Sequence, residues 1–277
     1  MSIIAISIII LGIIGILAAV VLFFVAKRFH VYENPNIALV EEILPGANCG
    51  ACGYSGCHAF AETCAEASSL EGLSCPGAGQ EGMQQIASLL GLVPGEVVRK
   101  TAIVACNGTC AHRKTFNHYD GVRSCAIEAA YYGGETPCVY GCLGCGDCVA
   151  VCPHDAIHID EQTRIPVVDI EKCVGCGKCV AECPHNIIEL AEISPDKPIV
   201  WVACRNHDKG ALALKECDVA CIGCGKCKRV CPSEAVDLST FLAHIDPAKC
   251  IGCGKCVADC PRKSILYLGN LKTQESL

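Results

Sequence analysis

The stretch Cys173-Val-Gly-Cys176-Gly-Lys-Cys179-Val-Ala-Glu-Cys183-Pro184 is a C-x2-C-x2-C-x3-C-P run, and the chain contains this pattern four times. The other copies begin at Cys142, Cys221 and Cys250 and end at Cys152-Pro153, Cys231-Pro232 and Cys260-Pro261. The spacing limits what the chain can fold around. Three thiolates on a short glycine-bearing loop can grip three irons of a cubane, and the fourth cysteine, turned away by the proline, reaches a neighbouring cluster. A zinc ribbon would instead want two C-x2-C pairs. The pattern therefore predicts paired [4Fe-4S] clusters with crossed ligation. Cys152 joins Cys173, Cys176 and Cys179, while Cys183 returns to the preceding cluster. Cys231 joins Cys250, Cys253 and Cys256, while Cys260 joins Cys221, Cys224 and Cys227.

Cysteine spacing also shows a duplication. Cys125, Cys138, Cys142, Cys145, Cys148 and Cys152 recur 79 positions later as Cys204, Cys217, Cys221, Cys224, Cys227 and Cys231, and the partner runs at Cys173 and Cys250 are offset by 77. Two tandem dicluster ferredoxin-like domains follow, over 138–193 and 200–268. In each, a short hairpin is expected: Ala156 to Ile159 with Ile165 to Val168, and Ala235 to Leu238 with Phe241 to Ile245. The 27 cysteines among 277 residues form an odd count in a chain longer than disulfide-stapled scaffolds, and aromatics are only 5%. Thiolate-metal bonds are thus expected to supply cohesion that apolar burial does not. With a net charge of −7, the chain lacks the basic face that nucleic-acid binding needs.

Upstream lies a differently spaced loop, Asn48-Cys49-Gly-Ala-Cys52-Gly-Tyr-Ser-Gly-Cys57, followed by Cys64 and by Cys75-Pro76. Cys49, Cys52, Cys57 and Cys75 supply the four thiolates of a further cubane, with zinc as the rival ligand. A helix over His58 to Ala67 would carry Cys64 as a buried small residue, and residues 76–100 read as a helix and linker. Ile3 to Ala26 form an uncharged apolar run closed by Lys27-Arg28. At 1.5 Å per residue it reaches roughly 36 Å as a helix, enough for a single span of a hydrocarbon core about 30 Å thick. The basic pair keeps the cluster domains on the cytoplasmic side. The fold class is accordingly α+β: a transmembrane anchor (1–28), a small iron-sulfur module (29–95), a linker with extra cysteines (96–137) and the two ferredoxin-like domains. Eight of the nine histidines, His58, His112, His118, His154, His158, His185, His207 and His244, weighed as ligands, read as surface or hydrogen-bonding groups in a chain with thiolates in surplus.

The anchor, the segment Pro35-Asn36 to Glu42, the loop Leu44-Pro-Gly-Ala-Asn-Cys49-Gly-Ala-Cys52-Gly-Tyr-Ser-Gly-Cys57 and the ferredoxin repeats together resemble the B subunit of the Rnf complex, in its longer form. The resemblance implies a subunit of an ion-translocating ferredoxin:NAD oxidoreductase in the cytoplasmic membrane. It would take electrons from soluble ferredoxin and pass them through about five [4Fe-4S] clusters to flavin-bearing and multi-span partner subunits. An alternative is the iron-sulfur subunit of a complex that reduces a redox-sensing regulator. No G-x-G-x-x-G opens a helix after a strand, and no charge interrupts Ile3 to Ala26, so nicotinamide binding and the ion path are expected on other subunits. For the first repeat's leading cluster the spacing favours Cys142, Cys145 and Cys148. The resemblance points instead to Cys138, Cys142, Cys148 and Cys183, leaving Cys145 spare. Cys106, Cys110 and Cys125 are candidates for a further site, with Cys145 as its fourth thiolate.

Overall fold

The computed structural model describes residues 3–28, 34–95, 97–194, 196–238 and 240–269. Helix α1 (Ile3–Arg28) takes in the apolar run, with Lys27 and Arg28 in its last turn. Its side chains are described from Ile10 to Val25 and at Lys27 and Arg28. That apolar stretch alone measures only about 24 Å as a helix, and among the described residues no helix is long and apolar enough to cross a membrane. The expected span thus rests on the sequence of the whole run.

The N-terminal module is three helices, α2 (Pro35–Ile43), α3 (Cys57–Glu66) and α4 (Gly79–Leu90). Asn34 caps α2, its side-chain oxygen accepting from the Asn36 N–H at 3.0 Å, and Pro35 fills the first turn, where its missing N–H costs nothing. Helix α4 ends on Gly91 at φ 68°, the left-handed conformation that glycine adopts without penalty. The three apolar faces enclose Val40, Phe60, Leu70, Met83 and Ile86, all fully buried. Burying each such side chain contributes about 1.5–3 kcal/mol, so this small module has a core of its own. Cys64 is buried on α3, as expected.

Two modules of paired short strands follow. In the first, β1 (Lys100–Val104) pairs antiparallel with β4 (Ile188–Glu192), Val104 opposite Ile188. Between them come α5 (Cys125–Tyr131), α6 (Asp147–Ala150), the hairpin β2 (Ile157–Ile159) with β3 (Pro166–Val168), and α7 (Lys178–Glu182). In the second, β5 (Ile199–Val202) pairs with β8 (Ile265–Leu268), Val202 opposite Ile265. These bracket α8 (Gly210–Glu216), α9 (Lys226–Val230), the hairpin β6 (Val236–Asp237) with β7 (His244–Ile245), and α10 (Lys255–Asp259). Both hairpins fall where the sequence places them.

Within 97–137 the segment contributes β1 and α5 to the first ferredoxin module. Strand β1 buries Thr101, Ala102 and Ile103 as the outer strand of the first module, because β4 would otherwise leave its backbone groups unpaired. The pairing also corrects the duplication. Ala105 N–H donates to Ile187 O at 2.6 Å and Ala203 N–H to Ser264 O at 2.7 Å. Since Ile187 and Ser264 are 77 positions apart, the structural counterpart of Cys204 is Cys106, not Cys125. The two modules meet along these segments: Asn107 N–H donates to Ala203 O, and Trp201 Nε1 to Val104 O, both at 3.0 Å.

Candidate metal centres

Each ferredoxin loop must turn sharply enough to aim three thiols inward, and glycines at positive φ do this: Gly175 at 67° and Gly177 at 78° around Cys176, with Gly252 and Gly254 repeating it around Cys253. Space is as important as the angle. A Cβ on Gly175 would lie 2.8 Å from the Lys100 carbonyl oxygen. The helix after each loop then carries the third cysteine. In three of the four runs the cysteines gather as the crossed scheme predicts. Cys152, Cys173, Cys176 and Cys179 line one cavity, Cys221, Cys224, Cys227 and Cys260 a second, and Cys231, Cys250, Cys253 and Cys256 a third. The cavities hold about 370, 370 and 310 Å³. Backbone N–H groups point at the sulfurs, Ala102 at Cys173 and Ala156 at Cys152 (both 3.4 Å), Ala235 at Cys231 (3.3 Å) and Ser264 at Cys260 (3.4 Å). Donors of this kind stabilise thiolate charge and tune a bound cluster.

The first repeat's leading site departs from both expectations. Its cavity, about 380 Å³, is lined by Cys142, Cys148, Cys183 and Cys125. Cys145 is turned away and donates to Glu128 Oε2 at 3.0 Å. Cys138, expected here, lies elsewhere, in a cavity with Cys106, Cys204 and Cys217. Helix α5 causes the change. Ser124 caps it, and Asp147 on the cluster loop accepts from the Ser124 hydroxyl (2.8 Å) and the Ala126 N–H (3.1 Å), clamping the helix start beside Cys148. Burial alone would raise the Asp147 carboxyl, but donation from the Cys125 and Ala126 N–H groups and Ser124 outweighs it and holds the group below its usual range. One turn on, Glu128 is fully buried and takes the thiol of Cys145. Cys125 had one signal in the sequence, its serine-capped helix start beside a cluster loop, and no ligand spacing reveals it.

In the N-terminal module Cys57 opens α3. Its N–H donates to Asn48 Oδ1 at 2.7 Å, which folds the Cys49-to-Cys57 loop back on itself. A Cβ on Gly56 would lie 2.7 Å from that oxygen and would displace the Asn48 side chain from this bond. Burial raises the Cys75 thiol against the lowering by the Ala78 and Gly77 N–H groups, and the charges of Cys52 and Cys49 add to the rise, so the three sulfurs lie within electrostatic range of one another. Burial raises Cys176 against the lowering by the Lys178 N–H, and the charges of Cys49, Cys152 and Cys173 add to the rise, so the N-terminal loop lies within electrostatic range of the first ferredoxin module.

Burial pushes Cys142, Cys148 and Cys256 up to about 12 and Cys179 up to about 11. Unmetallated, these sites would hold neutral thiols; metal binding must expel the protons, and the thiolate-metal bonds repay the buried charge. The donor set fits an iron-sulfur cluster better than a single ion. Four thiolates on one zinc at about 2.3 Å crowd together, whereas among the described residues no three such donors converge on one ion. Sulfurs arranged around a cavity suit a cluster in which each takes its own iron. Of the histidines, His154 and His185 reach cavity walls; the latter is hydrogen-bonded through Nδ1 to Gly141 O at 2.6 Å.

The architecture and donor sets define an iron-sulfur protein of the dicluster ferredoxin class. Models of 4Fe-4S dicluster domains match residues 141–187, 220–264 and, in a second family, 172–236, and an Fe-S cluster model matches 44–69. The chain is 40% identical over 243 residues to the B subunit of the ion-translocating oxidoreductase complex of Methanosarcina acetivorans, covering 88% of this chain and 90% of that protein. It is 41% identical over 211 residues to the B subunit of the Na(+)-translocating ferredoxin:NAD(+) oxidoreductase complex of Acetobacterium woodii, covering 76% of this chain and 62% of that one. The proton-translocating counterpart of Clostridium ljungdahlii is 35% identical over 219 residues, covering 79% and 76%. This chain belongs to the family of B subunits of the Rnf-type ion-translocating oxidoreductase complexes.

Proposed function

We propose that the chain is the electron-relay subunit of a membrane-bound complex, accepting electrons from reduced ferredoxin and delivering them towards subunits that reduce NAD and move ions. The observation that carries the reading is the serial placement of its sites. In each ferredoxin module the cysteines of both sites pack in one core, Cys142 and Cys148 with Cys152, Cys173, Cys179 and Cys183, and Cys227 and Cys256 with Cys221, Cys231, Cys250 and Cys260, and Cys49 lies within electrostatic range of Cys176. When bound, [4Fe-4S] clusters supply one-electron carriers at about five such sites. The chain's own residues fix where these sit, direct backbone N–H donors at the ligand sulfurs, and exclude water with Ile157, Ile187, Val236 and Ile265. In each ferredoxin module the crossing cysteines, Cys152 with Cys183 and Cys231 with Cys260, tie paired sites to a common frame.

Membrane attachment through α1 belongs to the same reading. The side chains from Ile10 to Val25 are exposed and apolar on every side, with no polar face towards water, a pattern for burial in lipid rather than for a surface helix. Across its full length of 26 residues α1 reaches about 39 Å, and Lys27-Arg28 favour a cytoplasmic C-terminal side.

The test uses the full chain, purified anaerobically and free of flavin. Reduced low-potential ferredoxin should bleach its visible cluster absorbance, and NADH alone should not. Bleaching by NADH, or none by ferredoxin, overturns the proposal.

A further inference from the structure

Four cysteines outside the five sites above come together where the two ferredoxin modules meet. Cys106 follows β1, Cys204 follows β5, Cys138 precedes the first cluster loop and Cys217 the second; all four line one cavity of about 380 Å³. The sequence Val-Ala-Cys occurs at 104–106 and again at 202–204, and the strand pairings make these cysteines counterparts. Cys138 and Cys217 are counterparts at 79 positions. The cavity is therefore built symmetrically, with two thiols from each module at equivalent places.

The sulfurs face a common space. A Cβ placed on Gly108 would be 3.4 Å from Cys217 Sγ and 3.7 Å from Cys106 Sγ, so these two sulfurs, from different modules, lie within about 7 Å of each other. Asn206, almost fully buried, directs its backbone N–H at Cys204 (3.5 Å) and its side-chain amide at Cys138 (3.6 Å), and is itself fixed by Glu216. Sulfur-directed donors of this kind recur at the other sites. Burial raises the Cys138 thiol to about 11, the Cys204 thiol to about 12, and that of Cys217 as well.

We infer that Cys106, Cys138, Cys204 and Cys217 form a sixth four-thiolate site for a [4Fe-4S] cluster, shared between the two ferredoxin modules and joining their cluster pairs into one series. Its walls are shared on both sides. Gly141 lines this cavity and that of Cys142 and Cys148, and Arg113, on the same wall, donates to Cys142 O. On the far side the N–H of Cys221, a ligand position of the second module, points at Cys204. With the site filled, a cluster would sit between the leading site of the first module, through the shared Gly141, and that of the second, through Cys221. The inference rests on the relay reading, which requires only the other five sites.

The test is iron, zinc and acid-labile sulfide content of the full chain after anaerobic reconstitution, with EPR of the reduced protein. About 24 irons and no zinc per chain are expected, at four irons per site. About 20 irons, or 20 with one zinc, overturns the sixth site and leaves the relay standing; clearly fewer than 20 overturns both. Cys106→Ser and Cys217→Ser, on opposite modules, should each lose about four irons, or about one by conversion to a three-iron form. The double variant should lose no more than one cluster's worth, because both serve one site. Additive losses, or no loss, overturn the assignment. Cys110→Ser, at an exposed thiol that donates to Thr163 O, should change nothing. If the variants fail to fold, the wild-type iron and zinc count decides alone.

Discussion

The leading sites of the two ferredoxin modules are built on loops of the same spacing, Cys142-x2-Cys145-x2-Cys148 and Cys221-x2-Cys224-x2-Cys227, yet they use those cysteines differently. In the second module all three thiols face the cavity together with Cys260. In the first the middle thiol is bonded to Glu128, and Cys125 on α5 takes its place. The cause lies outside the motif. Cys106 and Cys138 are 32 positions apart, while their counterparts Cys204 and Cys217 are 13 apart, and the extra length of the first module includes the segment that caps and delivers α5. Ligand spacing thus permits a site, and a neighbouring buried acceptor decides which thiol enters it.

Cysteine replacement separates the two modules most strongly. Cys125→Ser should remove about four irons, or about one if a three-iron cluster survives, while Cys145→Ser leaves the iron content unchanged. In the second module Cys224→Ser should behave as Cys125→Ser does in the first. Iron analysis and EPR on the full chain check all three. A normal cluster in Cys125→Ser with a damaged one in Cys145→Ser would show that the two modules ligate alike.

What was legible follows from the same contrast. The crossed pairing of Cys152 with the Cys173 run, and of Cys231 and Cys260 in the second module, could be read because ligation there is set by short-range loop geometry. Both hairpins were legible as strand-like runs flanking a turn. The N-terminal loop was legible as four thiolates, but not its fold, which depends on Asn48 reaching Cys57 across nine positions. The exchange of Cys138 for Cys125 was hidden because it depends on tertiary contacts, the Asp147 clamp and the Glu128 acceptor. The numerical coincidence of a 79-residue offset also paired Cys204 with Cys125, where the repeated Val-Ala-Cys after each outer strand would have paired it with Cys106.

A subtler change gives the first module the freedom of the second. Replacing Glu128 by leucine removes the acceptor that holds Cys145. Alone, Glu128→Leu should keep a full iron complement and cost about 1–3 kcal/mol in stability for the lost buried bond. In the Cys125→Ser background it should restore about four irons relative to Cys125→Ser alone, because Cys145 can turn to the place that Cys224 holds in the second module. Glu128→Gln keeps an acceptor and should restore nothing. Equal iron in Cys125→Ser with and without Glu128→Leu would mean that the backbone of the first loop, rather than Glu128, excludes Cys145.

The smallest expected effect concerns the clamp itself. Asp147 is replaced by Lys226 at the equivalent place of the second module, so only the first module relies on a carboxylate to hold a helix start. Asp147→Asn should lower stability by about 1 kcal/mol at neutral pH, the usual scale for a capping carboxylate. The folded carboxyl lies below its ordinary value, so the unfolded chain binds the proton more readily. The clamp's contribution is then fully present above the unfolded value of about 3.9 and is lost as pH falls through the folded one. The difference in thermal midpoint between wild type and Asp147→Asn should stay flat from pH 8 to 5 and narrow only below about pH 4. The same scan on Lys226→Asn should show no such acid-dependent narrowing. Narrowing between pH 7 and 6 in the Asp147 pair would remove the carboxylate clamp as the reason that Cys125 sits where it does.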